Sequence, residues 1–308
     1  MLGGSADQAI TKESLKQLTL TEEDEGDAED IFTPLQVAAS DGNLSTVKQL
    51  LRQKTDPNES PRGWYGKTAL QAAAMYGHLR VVEELIAWGA IVNAPGGNNG
   101  GRTALVLAAS TGYSQIVDIL IAAGADIRLA ATRYRGRTVL QAAAEGGHVD
   151  IVRRLLDEGV DVNAAPAHNY GRTALQAAVE QQHVDIVEIL LARGALVNQG
   201  IMRYKGMTAL QAAASVGNMD LLNRLLELGA DVNAPGSYYE GWTALSAAAE
   251  AGHVKAVRRL LEVGADITAT SGNQHLTPIQ LAKLKGQREV MGLLLEAEEL
   301  NMIRRVEM

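Results

Sequence analysis

Apolar positions along the chain come in two alternating bursts. The first is alanine-rich, as in LQAAA, and carries paired small residues at Ala38/Ala39, Ala73/Ala74, Ala108/Ala109, Ala143/Ala144, Ala213/Ala214 and Ala248/Ala249. The second, as in HVDIVRRLLDEG, sets Val149, Val152, Leu155 and Leu156 on one face at helical spacing. Gly77, Gly112, Gly147, Gly217 and Gly252 break the first burst, and Gly159 is placed to end the second. The pattern predicts pairs of short helices. None could bury its apolar face alone, so stacking must supply the stability.

Aligned on a threonine followed two residues later by Leu or Ile, the pairs fall into eight copies, at Thr33, Thr68, Thr103, Thr138, Thr173, Thr208, Thr243 and Thr277. Six of the intervals are 35 residues and one is 34. Threonine is a good N-cap, and Pro34 and Pro278 follow it at the first helical position, where a missing N–H does no harm. A leucine column (Leu50, Leu85, Leu120, Leu155, Leu190, Leu225, Leu260, Leu294) runs through all eight copies and is expected to form the buried spine. Between the second helix and the next threonine lie stretches such as AxVNAP and then a glycine (Gly66, Gly101, Gly136, Gly171, Gly206, Gly241), which predict a turn or hairpin projecting from the stack as a finger.

The consensus G-x-T-x-L-x-x-A-A-x-x-G-H-x-x-x-V-x-x-L-L-x-x-G-A-x-V-N resembles the ankyrin repeat over residues 32–308. It implies an all-α solenoid of about eight helix-turn-helix units with projecting hairpin loops, the terminal units acting as caps. Two features depart from the family. Gln replaces the usual His at positions 36, 71, 141, 176, 211 and 280, and the period of 35 places two extra residues in the finger. The long loops and the low divergence between copies are similar to the arrays of large fungal multidomain proteins, NACHT-type immune receptors among them.

Composition sharpens this picture. Apolar residues make up 46% of the chain and aromatics only 4%, so thin alanine-lined layers are implied instead of one large core. The net charge of -8 is nearly all in residues 1–31, which carry nine acids and two lysines; TEEDEGDAED, residues 21–30, holds seven of the carboxylates. That leader is expected to be flexible when free. No secretory signal or membrane-length apolar run is present, and the expected setting is the cytoplasm, with the nucleus also open.

The copies differ most where the fingers lie. Eight of the twelve aromatics fall within the five residues before one of the six threonines from Thr68 to Thr243: Trp64, Tyr65, Tyr134, Tyr170, Tyr204, Tyr238, Tyr239 and Trp242. Arg102, Arg133, Arg135, Arg137, Arg172 and Lys205 share these windows. Tyr and Arg dominate binding hot spots, and the resemblance points to finger tips and the exposed end of the first helix as the binding columns. Met75 and Tyr76 add to Trp64 and Tyr65 as one apolar anchor, and Tyr238, Tyr239 and Trp242 form another. With layers roughly 8–10 Å apart, the anchors would be separated by on the order of 50 Å. The expected ligand is a protein or peptide with acidic and apolar features. The acidic residues 22–30 of the leader are a candidate intramolecular ligand. Basic and aromatic side chains in alternation also suit single-stranded nucleic acid, but a pI near 5.3 argues against it.

Chemistry has little to build on. The chain has no cysteine and no phosphate-binding, nucleophile-elbow or zinc motif, so neither catalysis nor a cofactor is expected. His78, His148, His183 and His253 occupy one column a full layer apart, which suits structural hydrogen bonding and not a shared metal. The alternative reading is a groove acting on a small acidic or sugar-like molecule through Glu145 and Glu180.

Overall fold

The computed structural model describes residues 32–306 apart from 61–65, 98–101, 133–134, 201, 203, 240 and 273–274, with the side chains of 304–306 also outside the description. Sixteen helices are present among the described residues, two per unit. In chain order they are α1 (Pro34–Ser40) and α2 (Leu44–Arg52), α3 (Ala69–Met75) and α4 (Leu79–Ala87), α5 (Ala104–Thr111) and α6 (Ser114–Ala122), α7 (Val139–Glu145) and α8 (Val149–Asp157). The second half continues with α9 (Ala174–Glu180) and α10 (Val184–Ala192), α11 (Ala209–Val216) and α12 (Met219–Glu227), α13 (Ala244–Ala251) and α14 (Val254–Glu262), α15 (Pro278–Leu284) and α16 (Arg288–Val306). Each first helix packs on the first helices of its neighbours, and more extensively than second helices pack on one another. The alanine pairs explain the difference, because each is fully buried and leaves room for close approach.

Every first helix starts as the sequence predicts. All eight threonine side chains accept a hydrogen bond from the backbone N–H three residues on. In six units the glutamine at that third position completes a capping box by accepting from the threonine N–H. The amide of this glutamine also reaches forward along the chain. Gln71 Nε2 donates to Ala94 O (2.8 Å), Gln141 Nε2 to Ala164 O (3.0 Å) and Gln211 Nε2 to Ala234 O (2.9 Å). The glutamine therefore fixes the helix start and the base of the following finger together.

Two further ladders join the layers. Asn93 Nδ2 donates to Gly124 O while its Oδ1 accepts from Asp126 N, and Asn58, Asn163, Asn198 and Asn233 repeat the arrangement one layer at a time. The histidines do the same elsewhere. His78, His148, His183 and His253 each place Nε2 2.8–3.2 Å from a carbonyl oxygen at the end of the preceding unit's first helix, so that nitrogen carries the proton and donates.

The spine is continuous with one correction. Leu85, Leu120, Leu155, Leu190, Leu225, Leu260 and Leu294 are fully buried, but Leu50 is only partly so. The first unit has a described neighbour on one side alone, and there the fully buried leucine is Leu51. The last unit departs as well. Interior second helices stop at a glycine with positive φ, such as Gly159 or Gly194, whereas Glu298 occupies that position in the eighth unit and α16 runs on for 19 residues. Its outer side leaves Leu295, Leu300, Met302 and Ile303 exposed, so this end is less polar than a simple cap.

Candidate interaction surface

The fingers are closed at the base by close backbone approach. A Cβ at Gly171 would collide with the backbone of Ala167, and Gly136, Gly206 and Gly241 face Thr132, Met202 and Ser237 in the same way. At the tip, one residue further back, the chain adopts a left-handed conformation without glycine: φ is +50° at Arg135, +58° at Tyr170 and +47° at Lys205. Each costs about 1 kcal/mol relative to glycine.

Neighbouring tips touch. Arg135 N donates to Asn169 O (3.3 Å) and Lys205 N to Tyr239 O (3.1 Å), and single parallel bridges pair Asn169 with Tyr204 and Tyr204 with Tyr239. The Tyr204 and Tyr239 rings stack at 4.6 Å and 4°, with Tyr238 edge-on to Tyr239 at 4.7 Å. The guanidinium of Arg135 lies 5.0 Å from the Tyr170 ring centroid, and the ammonium of Lys205 lies 5.6 Å from it. The tips before units four to seven thus form one fused ridge, not separate probes. The spacing is the cause, since layers about 10 Å apart bring long side chains on successive fingers within reach of each other. The outer surface of the ridge remains open to solvent: Tyr238 is 66% exposed, Tyr170 and Lys205 are exposed, and so is Arg135.

Behind the ridge runs a second column, the residue immediately before each cap threonine. Arg137 donates from Nε to Glu145 Oε2 (2.8 Å) and from Nη2 to Glu145 Oε1 (3.2 Å), and its Nη1 reaches Gly136 O (3.2 Å). Arg172 repeats this with Glu180 (2.9 and 3.4 Å) and Gly171 O (3.3 Å), and is only 8% exposed. Both arginines therefore tie a finger to the end of its own unit's first helix. Glu145 and Glu180 are each held by an arginine, an arrangement different from two carboxylates facing a shared substrate. Arg102 holds the same place in unit three, but without such a partner among the described residues. Burial, and secondarily Arg137, lower its pKa from the usual guanidinium value, while Glu145 acts in the opposite sense.

Of the expected anchors, Trp64 and Tyr65 lie outside the described residues, as do Arg133 and Tyr134. Met75 is half-buried and Tyr76 exposed. Tyr76 lines a cleft of about 160 Å³ with Phe32, Val37, Asp41, Lys67 and Ala72. Phe32 and Val37 were not legible as site residues because they lie outside the finger windows. The available signal was Val37, which replaces the alanine found at Ala72, Ala142, Ala177, Ala212 and Ala247. In the other anchor Tyr238 and Tyr239 meet, while Trp242 is half-buried beside Gly272 of the next finger. Among the described residues no cluster of His, Asp and Glu could hold a metal ion, and no helix is long and apolar enough to cross a membrane.

A family model described as "Ankyrin repeats (3 copies)" matches residues 35–131, 124–200 and 210–304. No curated protein matches the chain.

Proposed function

Because the chain belongs to the ankyrin-repeat family, whose arrays typically mediate protein–protein interactions, we propose that it is a binding module for a protein or peptide with acidic and apolar features. The ligand lies along the fused finger ridge, with Arg135, Tyr170, Lys205, Tyr204, Tyr238 and Tyr239 as its contacts, and the Phe32–Tyr76 cleft receives an apolar side chain. Recognition of this kind belongs to the cytoplasm or nucleus. The similarity to fungal NACHT-type arrays, carried by period and low divergence, belongs to the same proposal.

One observation carries the reading: Arg135, Tyr170 and Lys205 occupy left-handed positions that glycine fills at lower cost. Exposed cation–π contacts of the kind they make stabilise by about 0.5–1 kcal/mol, no more than the strain. The finger before the third unit carries Gly100 at the corresponding sequence position. Arg135 and Tyr170 therefore add little to the stack through their side chains, and a ligand is what they serve.

The test replaces Arg135, Tyr170 and Lys205 together by glycine, which relieves the strain. Partners recovered by affinity capture on the parent chain are expected to be lost from the variant, with the unfolding midpoint equal or higher. Undiminished capture by the triple variant would refute the ridge as the binding surface.

A further inference from the structure

Arg102, Arg137 and Arg172 stand in three consecutive units, each immediately before the cap threonine. In units four and five the guanidinium donates twice to the glutamate that ends the first helix. Unit three breaks the set. Ser110 takes the place of Glu145 and Glu180, and its hydroxyl donates to Leu107 O (2.8 Å) instead. Arg102 remains half-buried and, among the described residues, makes no hydrogen bond or ion pair. A guanidinium does not shed its proton in a protein, so this is a partly desolvated cation in a slot whose geometry with a carboxylate is displayed twice in the adjoining layers.

The course of the chain supplies an occupant. Phe32 immediately precedes Thr33 and so begins the same column that continues through Lys67 to Arg102, two layers on. Two layers are roughly 20 Å. The chain between residues 22–25 and Phe32 spans about 23–33 Å when extended, so those carboxylates can reach. Tethering raises their effective concentration at the slot to the order of millimolar, which favours them over free anions.

We propose that the acidic segment at residues 22–30 places a carboxylate on the guanidinium of Arg102, in the slot that Glu145 and Glu180 fill in the next two units. The contact is independent of whether the ridge binds a partner, and the glycine variants of the finger tips leave it in place.

The chain has no cysteine, so Thr21→Cys in the 308-residue chain accepts a single nitroxide label and leaves every leader carboxylate intact. The amide signals of Thr103 and Ala104 are expected to lose intensity through paramagnetic broadening, and to recover at high salt. They are also expected to recover in Arg102→Gln, which removes the cation, and in Ser110→Glu, which supplies the carboxylate internally and raises the unfolding midpoint. Sharp Thr103 and Ala104 signals in the labelled parent, or broadening that persists in either variant, would overturn the proposal. Neither result bears on partner capture by the ridge.

Discussion

Gln182 holds a side chain in the left-handed region (φ +60°) at the turn between helices where the other seven units carry Gly42, Gly77, Gly112, Gly147, Gly217, Gly252 and Gly286. The exception has a neighbour to match. A Cβ at Gly42, Gly112, Gly147 or Gly217 would run into the histidine ring of the following unit, whereas Gln182 is followed by the shorter Asn218, whose Nδ2 donates to Gln182 Oε1 (3.3 Å). Removing the strain should therefore help: Gln182→Gly is expected to raise stability by about 1 kcal/mol in urea unfolding. The converse change, Gly112→Gln, adds strain and displaces His148 from Ser110 O, for an expected loss on the order of 2–3 kcal/mol. At this scale the sequence announced the turn through its glycines. That Gln182 would keep the same turn became visible only with Asn218 placed beside it.

The helix starts show how far an element can be read locally. Threonine and the Leu or Ile two residues after it, with proline added in the two terminal units, suffice to place each first helix, because a cap is satisfied within three residues of itself. The glutamine that departs from the family's histidine was legible as a departure but not as a device, since its third hydrogen bond ends on a carbonyl 23 residues away, as for Gln141 and Ala164. Gln141→Leu should strand that carbonyl and the Thr138 N–H, costing about 1–3 kcal/mol in equilibrium unfolding while the far-ultraviolet circular dichroism is retained. Unit seven shows another solution to the same need: Ser246 pairs with Ser271 Oγ (3.0 Å), which in turn accepts from Thr243 N. Arg137 and Arg172 are the contrary case. Their place beside the fingers suggested ligand contacts, and the glutamate eight residues on draws each into its own unit.

Across the whole molecule, the extensive helix–helix contacts among the described residues join helices of the same or adjoining units, so stability should behave as a sum over units and their interfaces. Gln141→Leu and Gln211→Leu lie two layers apart, and their combined cost is expected to equal the sum of the separate costs within about 0.5 kcal/mol in unfolding titrations. Second helices are joined across layers by exposed ion pairs, among them Arg154 with Asp118, Arg193 with Asp157 and Arg224 with Glu188. Such pairs contribute little and are screened, so added salt should leave the unfolding midpoint nearly constant while weakening any acidic ligand on the ridge. The sequence by itself determined the number of units, the helix starts, seven of the eight spine leucines and the existence of fingers, because in a stack the layer contacts join residues about one period apart and a linear pattern therefore encodes them. The tertiary structure alone decided how the fingers are used: which rings stack, which arginines turn inward to a glutamate, and why Arg102 lacks one. Those outcomes depend on side-chain reach being comparable with the spacing of the layers, a quantity that no periodicity records.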